Sequence, residues 1–219
     1  YRDDYIVNYC PKCGTTFSDL EIDHITRKDP LYYMKYGPFI LATVRPETKF
    51  GDTAVAVHPN DKRYKEYIGK EIEVEGLLGT FKLKVIGDSF VDPEFGTGVV
   101  KITPAHDKND YEAGRRHNLE IKSVIGLDGR MNDLAGPYAG MKIMEARKKI
   151  VEDLNKKGLL VKIDENYEHS VAVCYRGKHD IEPTVLPNWF VKVDPLKKPA
   201  LEAVKRGEVK IYPKWQEIT

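Results

Sequence analysis

No apolar run in this chain reaches the eighteen or so residues that a membrane-spanning helix needs, so no membrane partner is expected. Cysteine is scarce: three in 219 residues, an odd number that argues against a disulfide framework and for a reducing, cytoplasmic setting. Neither sign of charge dominates. Thirty-five basic residues face thirty-four acidic ones, for a net charge of +1, so bulk electrostatics do not announce a nucleic-acid binder. Any such contact must use local patches, and Lys197, Lys198, Lys205, Arg206, Lys210 and Lys214 form one candidate. Repeats and low-complexity tracts are missing. So is any charged and apolar leader. The first residue is Tyr1, not Met, and the end at Ile218-Thr219 carries no glycine stop, which together suggest a piece of a larger chain. Gly96-Thr97-Gly98 lacks the rest of a phosphate-binding fingerprint. No Ser-His-Asp or Cys-His nucleophile order is evident; His58, His106 and His117 are candidate bases, though such histidines are more often surface or packing residues.

What is present suits a folded module. Hydrophobic residues make up 41%, enough for a real core. Short β-branched or alternating segments predict strands at 39–44, 53–57, 71–75, 81–86, 97–103 and 121–125, then near 170–175 and 189–193. Helices are predicted at about 107–118 and 142–157, the second with Ile143, Ala146, Ile150, Val151 and Leu154 on one stripe and Gly158 as its stop. Shorter ones are expected near 61–67 and 199–206. Many short strands with few helices read as an α+β class, β-barrel-like. The division expected is a core at 38–165, flanked by peripheral segments 1–37 and 166–219 that carry a small zinc-knuckle-like appendage. Cys10-Pro11-Lys12-Cys13-Gly14 is half of such a knuckle.

One stretch gathers chemistry. Lys101 and Thr103 lie two apart on a strand and share a face, Pro104 ends that strand, and Asp107 and Asp110 open a helix. A polar strand end meeting a helix start with two acids suits an ammonium group and a hydroxyl. The same two acids also suit plain helix capping.

Longer motifs tip the balance. Ala42-Thr43-Val44-Arg45-Pro46-Glu47-Thr48, the run from Gly51 to Pro59, the run from Asp92 to Glu112 and Asp128-Gly129-Arg130-Met131-Asn132 together resemble the editing domain, or connective polypeptide, of valyl-tRNA synthetases. These are class I aminoacyl-tRNA synthetases. The resemblance covers nearly the whole chain. Leucyl enzymes usually carry Arg-Pro-Asp-Thr in the first motif and isoleucyl enzymes Thr-Pro-Trp-Thr, so Arg45-Pro46-Glu47-Thr48 fits the valyl branch. Val44, where the family often has threonine, is a departure.

The resemblance implies a barrel and a task. A pocket shaped for valine cannot strongly reject the near-isosteric threonine, a limit for which valyl enzymes are the standing illustration. A second site must hydrolyse threonine from mischarged tRNA(Val). By resemblance Lys101, Thr103, Asp107 and Asp110 are the pocket residues, with Asp110 binding the substrate ammonium and Asp107 and Lys101 shaping the pocket for the hydroxyl. Arg45, Glu47 and Thr48 hold the terminal adenosine, and Phe95 walls the pocket. The family often faces the first Cys-x-x-Cys with a second. Here Cys174 is followed by Gly177 in the fourth position, and His179 is the candidate replacement, giving one structural Zn2+ on Cys10, Cys13, Cys174 and His179. Hydrolysis needs no cofactor. The synthetic motifs His-Ile-Gly-His and Lys-Met-Ser-Lys-Ser are absent, so ATP would serve only the parent synthetase, the other expected partner besides tRNA. Leucyl- or isoleucyl-type editing, and a non-catalytic tRNA-binding module, remain as alternatives.

Overall fold

In the computed structural model, which describes residues 1–213, alternation and β-branching produce ten strands. They are β1 (Arg2–Cys10), β2 (Thr15–Phe17), β3 (Ile22–Tyr36), β4 (Phe39–Thr43), β5 (Ala54–Val57), β6 (Glu71–Gly76), β7 (Gly79–Gly87), β8 (Val99–Ile102), β9 (Leu160–Cys174) and β10 (Glu182–Trp189). Three α-helices join them: α1 (Lys108–Arg116), α2 (Ile143–Lys156) and α3 (Asp194–Lys205). The chain forms two compact units: Ile6–Leu186, and Tyr1–Tyr5 with the segment from Pro187 onward.

The strands make three sheets, ordered β10-β1-β2, β4-β3-β9 and β6-β7-β5-β8. β5 is wholly buried, parallel to β7 and antiparallel to β8, with Val55 opposite Lys101. A strand covered on both faces reads as a continuous apolar run, as Ala54–Val57 does. β3 and β9 form a long antiparallel ribbon whose register shifts between Asp29 and Leu31, around Pro30, which has no N–H to give to the ladder. Met34, Tyr36 and Leu41 pack with Val55, Val74 and Val85 in the main core, and Ala146, Ile150 and Leu154 of α2 close it. Gly158 ends α2 in the left-handed region, at φ +69, where glycine carries no Cβ penalty.

In the smaller unit the Tyr1 amino group donates to the Phe190 carbonyl, and the Phe190 ring meets Tyr1 and Tyr5. α3 buries no residue. No helix among the described residues is long and apolar enough to cross a membrane.

Several expectations need correction. The described residues form no closed barrel: the four-stranded sheet keeps β6 and β8 as edges. Residues 121–125 form no strand beyond a single bridge from Ile125 to Met131, because the Val124 N–H bonds to a histidine ring rather than a neighbouring chain. The strand placed at 189–193 ends at Trp189, and α3 begins at Asp194 rather than near 199. Pro195 falls in its first turn, where a missing N–H costs nothing, and Pro199 sits inside the helix. Near 61–67 only Lys65–Tyr67 is helical, as a short 3-10 turn. The polar segment 1–37, given no strand from its sequence, holds β1, β2 and β3. Lys214 and the end at Ile218-Thr219 lie outside the described residues.

Candidate functional site

β8 carries Lys101 to the rim of the four-stranded sheet, and Thr103 follows on the same face. The turn Pro46–Gly51 packs against them through Gly51, where a Cβ would stand 2.5 Å from the Lys122 carbonyl oxygen and 3.2 Å from Thr103 Cγ2. Only glycine allows that approach. It brings Asp52 in: its carboxylate accepts from Thr103 Oγ1 at 2.5 Å, from Tyr36 Oη at 2.5 Å and from Lys101 Nζ at 3.2 Å. Lys101 Nζ also donates to Thr48 Oγ1 at 2.8 Å and Thr103 Oγ1 at 2.5 Å, so its three hydrogens each have an acceptor. Burial, with Asp52 beside it, pushes the Tyr36 hydroxyl pKa well above its ordinary value. Lys49, within the same turn, is flanked by the rings of Tyr36, Phe50 and Phe81, and burial lowers its pKa to about 8.

Asp107 is the N-cap of α1. Its Oδ1 accepts from the N–H groups of Asn109 and Asp110, at 2.8 and 3.0 Å, and its side chain is exposed. Asp110 differs. It is 7% exposed, and Oδ2 reaches back across the turn to accept the Thr103 N–H at 2.8 Å. That bond ties helix start to strand end, which a plain cap would not do. Burial raises the Asp110 pKa to about 7, the nearby Asp107 charge adds to it, and Lys101 with the Thr103 N–H opposes it.

Arg45 enters a second buried network. Its Nη2 lies 2.7 and 2.6 Å from the two Glu182 oxygens, Nη1 donates to the His106 carbonyl at 3.0 Å, and Nε lies 3.3 Å from Glu47. Glu47 is fully buried and paired with Arg147 of α2 through two contacts of 2.8 Å. Burial alone would raise Glu182; Arg45 and His106 outweigh it and hold the carboxyl below its usual range. His106 Nδ1 meets Glu182 at 3.0 Å and Nε2 accepts the Val124 N–H at 2.9 Å, so its ring is committed on both sides and is no free base. His117 pairs with Asp88, and His58 Nδ1 accepts from the Asn60 N–H.

The residues singled out from sequence thus divide. Lys101, Thr103, Thr48 and Asp110 are brought together, with Asp107 one turn away. Arg45 and Glu47 sit in the adjoining network, and Glu47 and Thr48 are buried and held by protein partners. Phe95 is 47% exposed, and its ring meets Tyr167 edge-on at 6.2 Å. Asp52, Tyr36, Arg147 and Glu182 were missed. Asp52 lies inside the Gly51-to-Pro59 motif and was within reach; Glu182 is 137 residues from Arg45, and no spacing signals that contact.

Cys10, Cys13, Cys174 and His179 form a separate cluster whose ligand atoms lie within 4.8 Å of one another. Cys13 Sγ is 3.9 Å from Cys174 Sγ and 3.5 Å from His179 Nδ1, and Cys10 Sγ is 3.8 Å from that nitrogen. A tetrahedral zinc with bonds of about 2.3 Å to sulfur and about 2.0 Å to nitrogen spaces its ligands about 3.5–3.8 Å apart, so the set fits a Cys3His site.

The whole chain, residues 1–219, matches the family of class I tRNA synthetases (I, L, M and V). It is 53% identical over 219 residues to a valine–tRNA ligase of Carboxydothermus hydrogenoformans, covering 97% of this chain and 25% of that protein. The valine–tRNA ligase of Thermotoga maritima is 48% identical over 225 residues, with 100% and 26% covered. That of Desulfotalea psychrophila is 50% identical over 220 residues, with 98% and 24% covered. The chain spans about a quarter of the length of the curated relatives it matches.

Proposed function

Since this chain belongs to the class I tRNA synthetases (I, L, M and V), we propose that it is the proofreading domain of a valyl-tRNA synthetase, acting on threonine esterified to tRNA(Val). The names of its relatives support the valine branch. The observation that carries the chemistry is Asp110, a buried carboxyl with pKa about 7 at the junction of β8 and α1. A buried carboxylate short of countercharge is completed by a cation, and the α-ammonium of an aminoacyl ester is one. Asp107 gives the surroundings an exposed carboxylate that a threonine hydroxyl can bond and a valine methyl only desolvates, which costs free energy, while Lys101 and Thr103 shape the site through their bonds to Asp52. Because Lys101 is fully engaged, it acts mainly by placing charge and by holding Thr48 and Thr103. Arg45, whose side chain is 25% exposed, is assigned to the terminal adenosine. Glu47 and Thr48 hold that arginine's segment, and Phe95 walls the approach.

Bond cleavage is assigned to a water oriented by substrate and protein groups. The double commitment of His106 supports this over a histidine base. The Cys3His set would hold one structural Zn2+; a closed four-ligand site stiffens the β9–β10 connection and leaves no position for catalysis. The setting is cytoplasmic, and the partners are tRNA and the remainder of the synthetase, whose synthetic site alone uses ATP.

The deciding experiment incubates the full-length protein carrying this chain with tRNA(Val) charged with threonine or with valine. Fast release of threonine beside slow release of valine is expected; equal rates would defeat the reading.

A further inference from the structure

We propose that Glu182 is a positioning residue for this hydrolysis, one buried carboxylate that locks Arg45 and the turn leading into α1 in a single frame. The inference rests on the reading of Arg45 as a contact to the terminal adenosine. Glu182 opens β10 and is 6% exposed. It takes Arg45 Nη2 on both oxygens, at 2.7 and 2.6 Å, and His106 Nδ1 on one, at 3.0 Å. The His106 carbonyl in turn accepts Arg45 Nη1 at 3.0 Å, which closes the triangle. The next residue after His106 is Asp107, the cap of the helix that carries Asp110.

Glu182 is itself held firmly. Its carbonyl accepts Thr184 Oγ1, the Ile181 N–H bonds to Ala172, and the Cys174 N–H bonds to His179. The hairpin carrying two of the Cys3His ligands therefore sets where Arg45 points. A guanidinium fixed before binding loses little rotamer freedom when substrate arrives. Without Glu182, Arg45 would have to be ordered at each encounter. The loss then falls on binding more than on the chemical step.

The test measures threonyl-tRNA(Val) hydrolysis by the full-length protein as wild type, Glu182→Gln, Arg45→Ala and the double variant. Glu182→Gln should raise KM about tenfold while kcat stays within about threefold, and the double variant should be no worse than Arg45→Ala alone. Unchanged KM in Glu182→Gln, or losses that multiply in the double variant, would overturn the proposal. If Glu182→Gln does not fold, Glu182→Asp, one methylene short, is read by the same criteria. If wild type itself releases no threonine, the proposed function fails. Glu182 is then judged by affinity for uncharged tRNA(Val), where weakening supports it and no change overturns it.

Discussion

A buried carboxyl with a raised pKa makes stability depend on pH with a definite sign. Asp110 titrates at about 7 in the fold against an ordinary 3.8. Between those values the folded chain holds a proton that the unfolded chain has released, so stability falls as pH rises from about 4 to about 7. Asp110→Asn removes that penalty while keeping an oxygen for the Thr103 N–H. Its melting temperature should equal or exceed that of wild type at pH 8, and the gap should close by pH 4. At about 1.4 kcal/mol per pKa unit the ceiling is about 4 kcal/mol. The same variant should lose about 10- to 150-fold in threonyl-tRNA hydrolysis, the worth of a charge-assisted bond of about 1.5–3 kcal/mol. Full activity in Asp110→Asn, with normal tRNA binding, would return the residue to a structural role. Lys49 has the opposite sign. Its pKa is lowered to about 8 from 10.5, so the fold gains stability as pH rises through that interval. Lys49→Met should therefore stabilise at pH 6 by about 1–3 kcal/mol and much less at pH 10, as thermal melts at the two pH values would read.

At the scale of elements, the Pro46–Gly51 turn is fastened to α2 by one buried pair, Glu47 with Arg147. Removing one member of a buried pair leaves the other uncompensated, so Glu47→Gln should destabilise by about 3–5 kcal/mol in urea unfolding. The β9–β10 hairpin makes a second claim. Protein prepared without chelator should hold one zinc per chain, and Cys174→Ser should lose it; zinc retained by that variant would break the ligand set. How much of this was legible follows from range. The start of α1 was readable because Asp107 and Asp110 sit three apart beside Pro104, and α2 because its apolar stripe is periodic and Gly158 ends it. β1 and β3 were not, because strands that face solvent along part of their length are polar enough to pass for loop, and the period of Ile22–Tyr36 is broken at Pro30. The missing closure of the barrel was equally hidden: edge strands β6 and β8 look from sequence like paired ones. Of the site, the local pairs were found and the distant anchors, Glu182 and Arg147, were not. Such contacts are made by the fold and leave no mark on spacing.

For the whole molecule, charge decides how tRNA is gathered. The chain's net charge is +1, so it has little long-range pull on a polyanion. Its buried cations do not alter this: Lys101, Arg147 and most of Arg45 are spent on Asp52, Glu47 and Glu182 inside the fold. The basic residues free to meet phosphates are those at the surface, where acids are interleaved with them. Lys149 faces Glu152 and Asp153, and Lys108 faces Asp19. Each phosphate neutralised by a lysine or arginine steepens the salt dependence of binding by about 0.9 logarithmic units per tenfold change in salt, somewhat less for single strands. Three or four such contacts would give a slope of about 3. The 219-residue chain alone should thus bind tRNA(Val) weakly, with a slope no steeper than about 3, while the full-length protein binds more tightly and more steeply. Titrations at several salt concentrations, with both proteins, measure the two slopes. A slope for the chain alone that matched the full-length protein would mean that this module gathers tRNA by itself. Specificity would then have to be sought in its surface as well as in the cluster around Asp110.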